Sequence, residues 1–107
     1  MSLISGHADT VMVIGCGAVG LAAVQGARLA GAAKIIAVDI DDAKLELAQR
    51  MGATRGANAK REDAVAAARA ESGGRGADVV IEAAGSAAAF RPTVEAVRPG
   101  GEVVWLG

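Results

Sequence analysis

The order of apolar and polar residues divides the chain into alternating strand and helix segments. Short apolar runs predict buried β-strands at residues 11–14, 34–39, 54–58, 78–82 and 102–106. Small and apolar residues at helical spacing predict α-helices at residues 18–30, 42–51, 62–70 and 86–97, the last one restarting at Pro92. The glycine-rich segments at residues 72–77 and 99–101 predict a loop and a turn between these elements.

This alternation predicts an α/β fold. Short connections between successive strands favour a parallel sheet with right-handed crossovers and helices on both faces. The expected strand order is 3-2-1-4-5, a doubly wound Rossmann sheet of five strands, one fewer than the usual six. At 107 residues the chain makes one domain, which we place at residues 11–107 after a leader or linker at residues 1–10.

Composition and charge exclude several classes of function. The residues are 52% hydrophobic but include only Phe90 and Trp105 as aromatics, so small and branched side chains must form the core. The net charge of −1 comes from scattered charges, which favours neither a nucleic-acid partner nor a membrane surface. No apolar run approaches the ~20 residues that span a bilayer, and the N-terminal residues do not resemble a signal peptide.

The chain contains one cysteine, Cys16, and one histidine, His7. A single cysteine allows no internal disulfide, which is typical of a reducing compartment, and we expect a cytoplasmic protein. These two residues cannot supply the three or four ligands of a zinc site, so the sequence predicts no metal ligand. We interpret Cys16 as a packing residue and His7 as solvent-exposed, whereas Trp105 either lies in the core or faces a partner.

Residues 15–20, Gly-Cys-Gly-Ala-Val-Gly, form a G-x-G-x-x-G loop between an apolar strand and a helix. In that context the loop is typical of a dinucleotide site. Gly15 permits the tight turn, Gly17 lets a pyrophosphate approach the main chain, and Gly20 lets the helix pack closely. The amide groups and the dipole at the helix start then favour phosphate. A glycine turn used only for packing is the alternative interpretation.

Asp39 ends the second predicted strand, about 20 residues after the loop, where a carboxylate can accept hydrogen bonds from the adenosine ribose. The 2′-phosphate of NADP would meet a like charge there, at a cost of roughly 4 kcal/mol for one unit pair at about 4 Å. Asp41 and Asp42 add negative charge, and no arginine follows Asp39 directly. The sequence therefore favours NAD over NADP. Alternatively, Asp39 only caps the second helix, although Asp41 and Asp42 are better placed for that role.

Over residues 11–107 the chain resembles the coenzyme domain of the medium-chain, zinc-type alcohol dehydrogenases. The resemblance depends on the order and spacing of five stretches: VIGCGAVGLAAVQGARLAGA, KIIAVDIDDAKLELAQRMGA, GGRGADVVIEAAG, the helix that follows, and VRPGGEVVWLG. It implies an oxidoreductase that transfers a hydride between NAD and a small alcohol or aldehyde, with this chain as the part that binds NAD.

The resemblance also implies roles for individual residues. It assigns the coenzyme pyrophosphate to one loop, made of Gly15, Gly17, Ala18, Val19 and Gly20. Val19 corresponds to the residue that packs behind the nicotinamide ring. Asp39 and Lys44 correspond to the pair that binds the ribose, and Ile40 corresponds to the residue that flanks the adenine.

Further roles are implied near the end of the chain. Ala84 and Gly85 correspond to the loop that covers the adenosine side of the coenzyme. Leu106 and Gly107 fall where the family uses main-chain groups near the nicotinamide carboxamide. Ser86 departs from the pattern, because some members have a basic residue at that position.

Members of this family are several times longer, and a separate catalytic domain supplies their zinc ligands and proton relay. The resemblance therefore implies that zinc belongs outside this chain, that the chain is an excised or truncated coenzyme domain, and that it does not oxidise an alcohol by itself. The sixth strand, which the family commonly uses for dimer pairing, is also missing from the sequence. We therefore expect the last strand to be an exposed edge that forms a homo-oligomer through Val103, Val104 and Trp105.

Three other classes of protein share parts of this pattern. An S-adenosylmethionine-dependent methyltransferase also has a strand, a Gly-Cys-Gly turn, a helix and an acidic strand end, but it does not need Gly20. A non-enzymatic NAD-sensing regulatory domain uses the same loop and acid, although it does not resemble residues 73–85. The zinc-free quinone reductases of the same superfamily generally favour NADPH and lack an acid at the position of Asp39.

Overall fold

The computed structural model describes residues 9–107, in which there are five strands, four α-helices and one short 3₁₀ helix. The strands are β1 (Thr10–Ile14), β2 (Lys34–Asp39), β3 (Arg55–Asn58), β4 (Ala77–Glu82) and β5 (Val97–Trp105). The α-helices are α1 (Ala18–Leu29), α2 (Asp42–Met51), α3 (Ala64–Glu71) and α4 (Phe90–Ala96), and the 3₁₀ helix is Ala87–Ala89. His7 and most of the expected leader lie outside the described residues.

The five strands form one parallel sheet in the order β3-β2-β1-β4-β5. This order confirms the predicted doubly wound Rossmann fold. Strand β1 is central and buried along its whole length, because it pairs with β2 on one side and with β4 on the other. The carboxyl ends of all the strands therefore meet at one edge of the sheet.

Helices cover both faces of the sheet, as predicted. One core contains Val13 of β1 together with Val24 of α1 and Leu45 of α2. The other core contains Met12 of β1 together with buried alanines of α3 and α4. Most of the buried residues in the helices are alanines, so the helices approach the sheet closely.

Two of the predicted helices differ from the observed ones for local reasons. Helix α3 begins at Ala64 rather than residue 62, because the Asp63 side chain caps it by accepting a 3.0 Å hydrogen bond from the Val65 amide. The predicted helix at residues 86–97 consists of the 3₁₀ helix followed by α4. Pro92 lies in the first turn of α4, where a missing amide removes no helical hydrogen bond.

The predicted turn at residues 99–101 is wrong, because β5 runs without a break from Val97 to Trp105. Val97 pairs with Ala77 and Glu102 pairs with Val79, so residues 98–101 lie opposite a single residue of β4. The glycines and the proline of this segment form a bulge in an edge strand, where a proline is tolerated.

Asp78 connects the amino ends of three strands, because its side chain in β4 binds residues at the start of β1 and at the start of β5. Its Oδ2 atom accepts hydrogen bonds from the amides of Asp9 and Thr10 at 2.9 Å each. Its Oδ1 atom accepts a 2.6 Å hydrogen bond from Nε of Arg98. Burial raises the pKa of Asp78, but the amides and the Arg98 charge outweigh burial, so the pKa lies below the ordinary value of 3.8.

Replacing Asp78 by Asn is expected to lower the free energy of unfolding at pH 7 by about 1–3 kcal/mol, because an amide nitrogen cannot accept these hydrogen bonds. The lowered folded-state pKa makes this contribution present above the unfolded pKa of about 4 and lost as the pH falls through the folded value. Urea unfolding at pH 7 and pH 3 should therefore show a difference between the two proteins that shrinks at the lower pH.

Asp63→Asn is the control, since asparagine caps a helix about as well as aspartate does. It removes the same charge and should leave the acid dependence of wild-type stability in place. An Asp78→Asn variant with a constant loss at both pH values would contradict the assignment.

Candidate functional site

The glycine loop joins the end of β1 to the start of α1, in the middle of the edge formed by the carboxyl ends of the strands. Gly15 has a positive φ of 96°, and its amide donates a 2.8 Å hydrogen bond to the carbonyl oxygen of Val38. A Cβ atom on Gly15 would come within 2.6 Å of the Ala84 amide nitrogen. The position therefore requires glycine for both its backbone conformation and its contact with the segment after β4.

Gly20 lets the first turn of α1 lie directly against the loop. A Cβ atom at residue 20 would overlap the carbonyl oxygen of Gly15 and come within 2.7 Å of its carbonyl carbon. The close packing expected for this glycine is confirmed, and the group that it approaches is the main chain of Gly15.

The start of α1 has no side-chain cap. Gly17 is the N-cap residue, and the first helical hydrogen bond runs from the Leu21 amide to the Gly17 carbonyl oxygen at 2.9 Å. The amides of Ala18, Val19 and Gly20 precede that bond and so have no acceptor within the helix. The side chains of Asp41 and Asp63, by contrast, cap α2 and α3.

The space outside this helix start is open. A Cβ atom on Gly17 would have no heavy atom within 4 Å, and Ala18 and Val19 are exposed. A surface with free amides, no acidic side chain in the first turn and room beside the N-cap residue fits an anionic group such as a pyrophosphate.

Asp39 connects the end of β2 to the glycine loop. Its Oδ2 atom accepts a 2.8 Å hydrogen bond from the Cys16 amide, and its Oδ1 atom accepts bonds from the amides of Ile40 and Asp41 at 2.7 and 3.0 Å. The cap of α2 is Asp41, whose Oδ1 atom accepts a bond from the Ala43 amide. Asp39 is therefore not the cap of α2 and lies beside the loop, as the ribose-binding interpretation requires.

The charges around Asp39 differ in one respect from the sequence interpretation. The sequence pattern adds the charge of Asp42 to that of Asp39, but Arg61 from the segment after β3 donates a 2.6 Å hydrogen bond to the Oδ1 atom of Asp42. Hydrogen bonds from Arg61 and Asn58 lower the pKa of Asp42, so the pair is ionised at neutral pH. Arg61 therefore offsets the charge of Asp42, and the negative charge beside the loop comes from Asp39 and Asp41.

Glu82, at the carboxyl end of β4, also lies at this edge of the sheet, although the sequence pattern did not single it out. Only 3% of its surface is exposed. Its Oε1 atom accepts hydrogen bonds from the amides of Ala84 and Gly85, both at 2.7 Å. Its carbonyl oxygen accepts bonds from the amides of Leu106 and Gly107 at 2.8 and 3.0 Å. The sequence does contain a signal for Glu82, because an acidic residue at the end of a buried strand is also the pattern that identified Asp39.

The fold thus brings most of the predicted residues to one edge of the sheet. The glycine loop follows β1, Asp39 and Ile40 end β2, and Ala84 and Gly85 follow β4. Ile40 is 59% exposed and Val19 is 50% exposed, so two of the apolar contacts expected for a coenzyme are accessible. Lys44 lies exposed in the first turn of α2.

Residues after β4 and β5 complete the edge. Leu106 follows β5 and is 40% exposed. Ser86, the position that departs from the family pattern, caps the 3₁₀ helix by accepting a 3.1 Å hydrogen bond from the Ala88 amide. This capping hydrogen bond gives the serine at residue 86 a structural role.

Cys16 and Trp105 have different environments. Cys16 is buried, as expected of a packing residue, and burial together with the nearby Asp39 charge raises the pKa of its thiol to about 11. Trp105 is 48% exposed and stacks on Phe90 with ring centres 5.6 Å apart. A fully buried core position for Trp105 is therefore wrong, because it lies at the end of an edge strand.

A family model described as zinc-binding dehydrogenase matches residues 18–107. The chain belongs to the zinc-binding dehydrogenase family. This membership confirms the resemblance seen in the sequence and supports a nicotinamide coenzyme for the cleft. It supports neither the methyltransferase nor the regulatory-domain alternative.

Individual relatives agree with this family. An alcohol dehydrogenase from Cupriavidus necator is 44% identical over 99 residues, which cover 92% of this chain and 27% of that protein. An L-threonine 3-dehydrogenase from Caldanaerobacter subterraneus subsp. tengcongensis is 42% identical over 98 residues, which cover 92% of this chain and 28% of that protein. The chain thus spans less than a third of the length of these relatives.

Solved structures show the same relationship. An alcohol dehydrogenase from Thermus sp. ATN1 superposes with a TM-score of 0.88 at 44% identity, over 96% of this chain and 30% of that one. A Sinorhizobium meliloti 1021 structure assigned to the zinc-binding dehydrogenases and bound to NADP has a TM-score of 0.89 at 38% identity. The match covers 99% of this chain and 31% of that chain.

The family name implies zinc, and residues 9–107 do not fit a zinc site. Within that range, no three His, Cys, Asp or Glu side chains lie together as ligands for a metal ion. A zinc thiolate also requires a deprotonated cysteine, which the raised pKa of Cys16 disfavours. We therefore assign no metal chemistry to the described residues.

Two glycine substitutions in α1 distinguish the effect of the close contact on stability from the effect of helix propensity. Gly20→Ala is expected to lower the free energy of unfolding by at least about 2 kcal/mol, because the methyl group would overlap the Gly15 carbonyl. Gly26→Ala is the matched control, since a Cβ atom there meets nothing within 4 Å, and it should raise stability by up to about 1 kcal/mol. Urea denaturation measures both, and equal stabilities for the two variants would contradict the packing assignment.

Proposed function

We propose that this chain binds NAD as the coenzyme domain of an alcohol dehydrogenase-like oxidoreductase. The observation that carries the proposal is the uncapped start of α1 beside the open space at Gly17. The pyrophosphate would accept hydrogen bonds from the amides at this start, where the helix dipole also favours negative charge. Asp39 would accept hydrogen bonds from the adenosine ribose.

The other cleft residues have supporting roles in this proposal. Val19 would pack against the nicotinamide ring, Ile40 would flank the adenine, and Lys44 would join Asp39 at the ribose. Ala84 and Gly85 would cover the adenosine side, and main-chain groups at Leu106 would lie near the carboxamide.

When bound, the coenzyme supplies hydride transfer, which no side chain can provide. The share of this chain is to hold and orient the nicotinamide. The relatives named above act on alcohols and on L-threonine, and a small alcohol or aldehyde is the substrate class that we propose for the whole protein. The groups that bind that substrate are proposed to lie outside the described residues, so the isolated chain is expected to bind coenzyme without turnover.

The preference for NAD over NADP is part of the proposal, and it rests on Asp39. Its Oδ2 atom accepts one hydrogen bond within the chain, which leaves capacity for a ribose hydroxyl. A 2′-phosphate would instead meet this charge at a cost of roughly 4 kcal/mol at about 4 Å. A relative of known structure binds NADP, so family membership alone does not decide this point.

We propose the cytoplasm as the location of the protein, because its single cysteine is free and buried. Within residues 9–107, every helix is too short or too polar to cross a bilayer.

Titration with NAD and NADP tests the proposed function. The unmodified chain is expected to bind NAD about a hundredfold or more tightly than NADP, because of the charge on Asp39. Gly17→Ala should weaken NAD binding by at least about tenfold, since the methyl group would occupy the space beside the amides, while stability changes by less than about 0.5 kcal/mol. Isothermal titration calorimetry and urea unfolding give the two quantities.

Two further variants assign the selectivity. Asp39→Ala should bring the NAD to NADP affinity ratio towards one, although both coenzymes bind more weakly because the Cys16 amide loses its acceptor. Asp41→Asn removes a neighbouring charge, keeps the helix cap, and should change the ratio by less than about threefold. Equal affinity of the unmodified chain for both dinucleotides would refute the NAD assignment.

We also propose that the chain self-associates through β5. This strand is an edge of the sheet, Val103 and Val104 are half-buried, and Trp105 is 48% exposed. Such an edge favours pairing with a second copy. Analytical ultracentrifugation should show a dimer whose fraction rises with concentration, and Val103→Lys should reduce that fraction. A chain that remains monomeric at millimolar concentration would rule out the proposal.

A further inference from the structure

Glu82 is unusual among the acidic residues of the chain because it is buried without a cationic partner. The ion pairs within residues 9–107 involve Asp42, Glu46, Glu62, Asp78 and Glu95. Glu82 instead has main-chain partners, although a glutamate is seldom buried without a charged one. Strand β4 is otherwise apolar from Val79 to Ile81, so packing alone does not account for a carboxyl group at its end.

The contacts of Glu82 lie between two chain segments at the carboxyl edge of the sheet. Its Oε1 atom accepts from both amides of the segment Ala84–Gly85, and its Oε2 atom would be 2.9 Å from a Cβ atom placed on Gly107. A Cβ atom on Gly107 would also overlap the Gly85 amide and come within 2.7 Å of its Cα atom. The side chain therefore holds the segment Ala84–Gly85, which packs against Gly107 so closely that residue 107 has no room for a side chain.

The same carboxyl group acts on the glycine loop through Ala84. A Cβ atom on Gly15 would come within 2.6 Å of the Ala84 amide nitrogen, so the loop and this segment are in close contact. The Ala83 amide also donates a 2.7 Å hydrogen bond to the carbonyl oxygen of Ile14, the last residue of β1. A shift of Ala84 towards Gly15 would therefore displace the loop, and a shift away from it would open their contact.

We propose that Glu82 is a positioning residue for the coenzyme. It fixes the Ala84 and Gly85 amides, and with them the wall of the cleft between the glycine loop and the end of β5. It does not touch the dinucleotide. This inference rests on the proposed function, because it concerns the same cleft.

The inference is tested with NADH, whose fluorescence reports binding, and with three variants of the full chain. Glu82→Ala leaves the Ala84 and Gly85 amides without their acceptor in the chain, so this segment loses its fixed position, and the dissociation constant for NADH should rise by about tenfold or more. Glu82→Gln keeps one acceptor oxygen for both amides and should recover most of the lost affinity. If Glu82→Ala does not fold, Glu82→Leu replaces it, since leucine fills much of the same volume and has no acceptor for the two amides.

Asp78→Asn separates positioning from loss of stability. Asp78 lies in the same strand at the opposite edge of the sheet and also accepts two main-chain hydrogen bonds. Its replacement should lower stability while the NADH dissociation constant stays within about twofold of the wild-type value. The amide hydrogen exchange of Ala84 and Gly85 should accelerate in Glu82→Ala and not in Asp78→Asn.

The possible outcomes distinguish this inference from the proposed function. A wild-type chain that binds no NADH would overturn the proposed function and this inference with it. Wild-type binding that persists unchanged in the Ala or Leu variant would overturn only the role of Glu82. A loss of affinity that Gln does not recover, or that Asp78→Asn produces equally, would also reject it. Selective loss with recovery by Gln supports it.

Discussion

The site depends on one close contact, in which the first turn of α1 packs directly against the carbonyl group of Gly15. That contact leaves no room for a side chain at residue 20. It brings the unpaired amides of the helix to the edge of the sheet, between the ends of β2 and β4. The cleft exists because the helix lies this close, and the burial of β1 on both faces keeps the loop in register with its neighbours.

Acidic side chains that bind main-chain amides hold the ends of the strands. Asp39 and Glu82 do this at the carboxyl edge, and Asp78 does it at the other edge. The middle of the sheet, by contrast, is made of branched apolar residues and alanines that supply burial but little directional preference. The hydrogen bonds at the strand ends fix how neighbouring segments are oriented, because a hydrogen bond has a defined geometry whereas an apolar contact does not.

The sheet order and the glycine loop were predictable because both follow from local patterns. An apolar strand that ends in glycine, a helix of small residues and an acid after the next strand need only a short window of sequence. The course of residues 97–101 was not predictable, since a proline and two glycines are equally typical of a turn and of a bulge. Pairing with β4 decides between them, and that pairing is a tertiary contact.

The same distinction explains the details of the site. Asp39 was identified from its position, but its three amide partners depend on the fold. Arg61 and Asp42 are far apart in sequence, so their ion pair, and its effect on the charge near the cleft, could not be seen in the pattern that follows β2. Glu82 was missed because its partners come from two separate segments.

The environment of Cys16 has a practical consequence. A thiol with a pKa of about 11 is almost entirely protonated at neutral pH, and this one is also shielded from solvent. We therefore expect it to react slowly with maleimides and iodoacetamides. A cysteine introduced on the surface can therefore be alkylated selectively, and a single fluorophore can be attached to this domain with its native thiol left in place.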